Sequence, residues 1–127
     1  MRNPSAAPAL ARELDAPCAA NTADACAALG ALLVQGAGVP RDPQRAIRIL
    51  EPLCAANDLG SCGWLGVVLA DRHGVGDDDT RAATLFRRAC DEGIAHQGCD
   101  RLGRMFLAGR GVVPSDERAR ELSTAAC

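Results

Sequence analysis

Six of the seven cysteines of this 127-residue chain fall into pairs: Cys18/Cys26, Cys54/Cys62 and Cys90/Cys99, with seven, seven and eight residues between partners. Thiols at this density can form disulfides, hold a metal ion, or sit reduced in a core as small hydrophobes. Zinc is disfavoured, because the spacing is not C-x2-C and only His73 and His96 could complete a ligand set. Disulfides are favoured if one cysteine of each pair ends a helix and the other begins the next. Neighbouring antiparallel helix ends then bring the two Cα atoms within the ~4.4–6.8 Å that a bridge needs. Reduced, buried thiols of a cytosolic protein are the alternative. Cys127 stands where the first cysteine of a fourth pair would stand. It is expected to be a leftover thiol, free or joining two copies in a disulfide-linked dimer.

Other side chains with catalytic potential are few and scattered. All 14 basic residues are Arg, so neither the S-x-x-K of serine β-lactamases nor any other lysine-dependent mechanism is open. Ser5, Ser61, Ser115 and Ser123 have no His beside them in sequence, and two isolated histidines do not make a metal-hydrolase cluster. His73, next to Gly74, and His96, within CDEGIAHQGC, read as solvated turn residues. The run Asp77-Asp78-Asp79 invites a calcium reading. The simpler account is negative charge at a helix start, opposing the dipole, with Asp78 as the cap. No catalytic residue, metal or cofactor is expected, and the chain reads as a non-enzyme.

These residues are set in a repeating frame. Cys18 to Cys54 and Cys54 to Cys90 are each 36 residues, and Cys90 to Cys127 is 37. A fixed period in this range marks a solenoid. After a loose tail and lead-in helix (1–17), the units are 18–53, 54–89 and 90–127 of one continuous domain. Each unit predicts a first helix, over 23–35, 60–71 and 97–108, and a second helix, over 43–56, 79–92 and 116–126. Gly38, Gly74 and Gly111 share one repeat position between them, where a left-handed glycine closes a helix. Asp42, Asp78 and Ser115 precede the second helices as N-caps, in register. Pro52 falls inside the second helix of the first unit and predicts a kink or an early end, making that unit the least regular.

Leu29-Gly30, Leu65-Gly66 and Leu102-Gly103 recur inside the first helices. A helix-interior Gly costs ~1 kcal/mol against Ala, so three in register predict a close helix approach, with Ala46, Ala82 and Ala119 opposite. Leu33, Leu69 and Phe106 complete the seam with Ile49, Leu85 and Leu122 at helical spacing. The fold class is all-α: an α/α solenoid of about three disulfide-stapled helix-turn-helix repeats.

Composition narrows the partners. Net charge is −2 with both signs interspersed, so neither nucleic acid nor an anionic membrane is expected. No apolar run approaches the ~18 residues of a membrane span. The opening MRNPSAAPAL has a charge but no apolar signal-peptide stretch. Seven cysteines favour an exported protein, its signal already removed, over a cytosolic one.

The pattern C-x7-C-x2-LG, a Gly-containing turn, then A-x6-AC resembles the Sel-1-like repeat in its cysteine-rich secreted bacterial form. Cys54, Cys62, Leu65-Gly66, Gly74, Ala82 and Ala89-Cys90 carry it, with near copies before and after, over about residues 18–127. Leu33 and Leu69 stand where the family commonly has a tyrosine, and Ser123 replaces an aromatic on the last helix. That departure leaves the fold intact and bears on how tightly the terminal repeat packs. The resemblance implies a right-handed superhelix whose concave face binds a protein or peptide, and export to an oxidising compartment such as the periplasm. It also implies two other roles found in the family: penicillin-binding or weak β-lactamase-like proteins, and immunity proteins that neutralise a secreted toxin.

If the first helices line the concave side, the face is made by positions one, two, five and nine after the second cysteine of each pair. These are Ala28, Ala31 and Gln35; Gly63, Trp64, Val67 and Asp71; and Asp100, Arg101 and Arg104. Gln35, Trp64, Val67, Asp71, Arg101 and Arg104 are the candidate partner-binding residues, since exposed Trp and Arg are frequent interface hot spots. Trp64 packed between repeats is the competing reading.

Overall fold

The computed structural model describes residues 18, 23–36, 40–70 and 78–126. The lead-in helix over 9–15, Ser5, Gly38, Asp71, His73, Gly74, Asp77 and Cys127 lie outside the described residues. Within them the chain forms six α-helices and no strand. They are α1 (Ala23–Gln35), α2 (Pro43–Ala55), α3 (Leu59–Leu69), α4 (Asp79–Asp91), α5 (Arg101–Ala108) and α6 (Asp116–Ala126). A π-helical turn, Ala95–Asp100, runs into α5.

The apolar spacing explains which faces are buried. In α2, Ala46, Leu50 and Cys54 follow one another at four-residue steps and are the buried stripe, with Ile47 and Ile49 half-buried against the core beside it. In α4 the stripe is Ala82, Ala83, Leu85, Phe86 and Ala89. Helix α3 is apolar nearly all round and is buried from Ser61 to Leu69 over most of its surface. Its neighbours account for this: α1, α2, α4 and the π turn all pack on it.

The second helices begin alike. Oδ1 of Asp42 accepts from the Arg45 N–H, Oδ1 of Asp78 from the Arg81 N–H and Oγ of Ser115 from the Arg118 N–H, each at 3.1 Å. The backbone N–H of the same three residues donates to the carbonyls of Leu33, Leu69 and Phe106 at 3.1, 2.8 and 3.1 Å. One position per unit therefore both starts the second helix and ties it to the first. The ends of α2 and α4 are also alike. Asn57 (φ 69°) and Gly93 (φ 88°) are left-handed, and the next N–H, of Asp58 or Ile94, reaches back to Leu53 or Ala89 at 3.0 Å. Asp58 then caps α3, its carboxylate accepting from the Ser61 N–H at 3.4 Å.

Three expectations need correction. The left-handed glycine closing a first helix is Gly109 (φ 67°), and Gly36 (φ 65°) follows α1, two positions before the expected ones. Gly111 is left-handed too, but it lies beyond the helix, where an added Cβ would stand 2.2 Å from the Asp79 carbonyl oxygen. Pro52 does not end α2, which continues to Ala55 and is as long as α4. Both Pro52 and Arg48, whose carbonyl loses its partner, lie on the exposed side, where water can take the missing donor's place. The irregular unit is instead the third. Cys62 N–H bonds the Asp58 carbonyl four residues back, at 3.1 Å, whereas Cys99 N–H bonds the Ile94 carbonyl five back, at 3.2 Å. The extra residue in CDEGIAHQGC is absorbed as a π turn with Gln97 off helical geometry (φ −97°, ψ 24°).

First helices of successive units touch, α1 on α3 and α3 on the π turn. Among the described residues α2 and α4 make no such approach, nor do α4 and α6. Only long side chains bridge the gap between α2 and α4: Arg81 pairs with Glu51 at 2.8 Å and Arg88 donates to Asn57 Oδ1. The units therefore meet along their first helices and not along their second. No helix is long and apolar enough to cross a membrane.

Candidate binding surface

The cysteines fix how each unit joins the next. Cys18–Cys26, Cys54–Cys62 and Cys90–Cys99 are disulfide-bonded, with Cα–Cα distances of 4.5, 4.6 and 4.5 Å. Cys54 and Cys90 sit at the ends of α2 and α4, and their partners in the turns that open α3 and α5. Each pair stands within the Cα separation that a bridge needs, the arrangement the disulfide reading expects. The other candidates for chemistry have structural roles. Ser115 and Asp78 are caps, Asp79 pairs with Arg110, and His96 and Ser123 are exposed. Ser61 is 2% exposed and its hydroxyl has no partner among the described residues. Among the described residues no three His, Cys, Asp or Glu side chains gather as metal ligands.

The candidate partner-binding residues divide. Gln35 is exposed on the last turn of α1. Trp64 and Val67, on α3, are half-buried and packed against the core, so Trp64 is partly a structural residue. Gly63 belongs to packing outright, since a Cβ there would stand 2.5 Å from the Gln97 carbonyl oxygen of the π turn. Ala28 is exposed, and Ala31 and Asp100 half-exposed.

Arg101 and Arg104 lie on α5, and the structure brings them together with Val67 around a cavity of about 290 Å3. Ala70, Phe86, Met105 and Ala108 complete its apolar lining, and Arg110 closes one side. Arg101 is half-buried, its Nε donating to Gln97 Oε1 at 3.2 Å. Burial first, then the Arg104 charge, lowers its pKa, while Asp100 opposes the shift. The guanidinium stays protonated at neutral pH. Arg104 reaches Asp100 at 3.4 Å, but with 67% of its side chain exposed that pair is screened by water.

Arg110 was not visible as a site residue in the sequence. Its Nη2 donates to Asp79 Oδ1 at 2.8 Å and to the Ala70 carbonyl at 2.7 Å, and its Nε to Asp79 Oδ2 at 3.1 Å. It staples the turn of the third unit onto the second, and no local pattern links residues 31 apart. A second cavity of about 310 Å3 lies between α4, α5 and α6, with Arg87, Arg118, Phe106 and Leu122 in its lining.

In comparisons with known proteins, a family model of the Sel1 repeat matches the chain three times, over residues 23–58, 55–94 and 96–127. No curated protein and no solved structure gives a significant match.

Proposed function

The chain belongs to the Sel1 repeat family, whose repeats are in general protein–protein interaction modules and usually non-catalytic, and from that premise we propose that it is a binding module or adaptor of an oxidising compartment, periplasmic or extracellular, holding a protein or peptide partner along its first helices. The observation that carries this reading is the one-sided stack. First helices touch from unit to unit and second helices do not, which supports the first helices as the inner, concave surface. Gln35, Trp64, Val67, Arg101 and Arg104 lie along it, with side chains partly or wholly exposed. The three bridges support the compartment.

Site-specific photocross-linking tests the face. A photoreactive residue at Gln35 or Arg104 should capture one partner, and the same residue at exposed Thr84 or Arg120, on second helices, should not. Capture only from the second helices would place the partner on the outer surface and sink this reading. Arg104→Ala is the clean binding variant, since the side chain is exposed. Trp64→Ala is expected to lower stability as well as binding, because the ring packs against the core.

A further inference from the structure

The repeat register shows what is unusual at the second junction. Two residues after the second cysteine stands Trp64 in the second unit and Arg101 in the third; five after it stand Val67 and Arg104. In the second unit both positions carry apolar side chains packed against the core. In the third both carry guanidiniums, beside a cavity of about 290 Å3 whose lining is otherwise largely apolar: Val67, Phe86, Met105 and Ala108.

Among the described residues the charges there are not balanced. Arg110 is held by both oxygens of Asp79. Among the described residues Arg104 has only a long, exposed contact to Asp100, and Arg101 one bond, from Nε to the neutral Gln97 amide. Two positive groups one helical turn apart repel each other, and the terminal nitrogens of Arg101 find no acceptor among the described residues. Guanidiniums present a donor fork suited to a carboxylate. The cavity lies at the lower edge of the ~300–1,000 Å3 of small-molecule sites, so it holds a side chain or two. A polyanion such as nucleic acid fits poorly, since the chain has no basic stripe and the apolar lining would go unused.

Building on the interaction-face reading, we propose that this pocket recognises an acidic segment of the protein partner, seating a large apolar side chain on Val67, Phe86, Met105 and Ala108 while an adjacent Asp or Glu carboxylate bridges Arg101 and Arg104. The apolar side chain supplies the burial, and the carboxylate supplies the orientation.

Selection of a random displayed peptide library on the oxidised full chain tests this. Enriched peptides should pair a large apolar residue with Asp or Glu within two positions. Fluorescence anisotropy with the most enriched peptide, fluorescein-labelled, should show binding about tenfold weaker for Arg101→Gln and for Arg104→Gln, the loss of one charged hydrogen bond. Affinity should also fall as NaCl is raised. Arg104 is exposed, so Arg104→Gln keeps the test open even if Arg101→Gln disturbs the fold. Enriched peptides without acidic residues, or binding unchanged in both variants, overturn the inference. If such peptides are nevertheless weakened by Gln35→Ala or Trp64→Ala, the interaction face stands and only the acidic specificity falls. A library that yields no binder at all sinks both.

Discussion

Gly66 carries the close approach at the centre of the stack. A methyl group there would stand 2.7 Å from the Phe86 ring, which is 2% exposed. At Gly30 the methyl would meet the buried Leu50 side chain at 2.6 Å. Gly103 is different: its nearest neighbours, the Ala119 carbonyl oxygen and Leu122 Cβ, are at 3.5 Å, ordinary contact. Leu50, Phe86 and Ser123 hold one repeat position, so the small, exposed Ser123 leaves Gly103 nothing to accommodate. Gly66→Ala should therefore cost about 1–3 kcal/mol through overpacking. Gly103→Ala should gain up to ~1 kcal/mol in helix propensity. Urea midpoints of the two variants check this, and equal shifts would show that the third glycine is as tightly packed as the second. The three Leu-Gly pairs were legible in the sequence because a glycine inside a helix needs a reason. What the glycines face was less so: the residues met at Gly30 and Gly66 lie one turn beyond the expected Ala46 and Ala82. The lone hydroxyl of Ser61 gave no sequence signal, since burial and the lack of an acceptor are set by neighbours distant in the chain. Ala25 holds the same repeat position and is also buried. Ser61→Ala removes an unsatisfied donor without opening a cavity, and should raise stability by about 1 kcal/mol. A lower melting temperature for this variant would mean that the hydroxyl is satisfied in solution.

At the scale of elements, helix starts were readable and helix ends less so. A cap is a local device: Asp42, Asp78 and Ser115 each bond an amide three residues on, so residue type and register identify them. The π turn was not readable, because one inserted residue could equally have lengthened a loop, and the Cys90–Cys99 bridge together with packing against α3 decides for the helix. Nor was the persistence of α2 through Pro52, which depends on that residue facing water. The staple between units two and three is likewise tertiary. Arg110 and Asp79 meet through two bonds with their side chains 29% and 21% exposed, and Arg110 also holds the last turn of α3 through the Ala70 carbonyl. A double-mutant cycle with Arg110→Gln and Asp79→Asn should give a coupling of about 1–2 kcal/mol, above the usual range for surface pairs. Strict additivity would show that the two groups are solvated independently. The candidate surface divides along the same line. Arg101 and Arg104 were placed on one face with Val67 by repeat register, whereas Arg110 enters from a turn.

For the whole molecule, the question is what holds so small a stack together. Each unit of a solenoid contacts only its neighbours, so stability rests on the junctions. Two bridges sit at junctions here, Cys54–Cys62 joining α2 to α3 and Cys90–Cys99 joining α4 to the turn before α5, and Cys18–Cys26 anchors the start of α1. Closing loops of eight or nine residues restricts the unfolded chain by about 2–3 kcal/mol per bridge on the chain-entropy model. Three bridges together then rival the ~5–15 kcal/mol that a domain has in total. Reduction is therefore expected to lower the melting temperature by tens of degrees or to abolish the cooperative transition. Circular dichroism melts with and without a phosphine reductant would measure it. Intact mass after alkylation of the unreduced protein gives the complementary reading: one label, on Cys127, or a disulfide-linked dimer with none. Seven labels together with an unchanged melt would mean that helix packing alone carries the fold. The three bridges would then give no ground for placing the protein in an oxidising compartment, and the search for its partner would move to the cytosol.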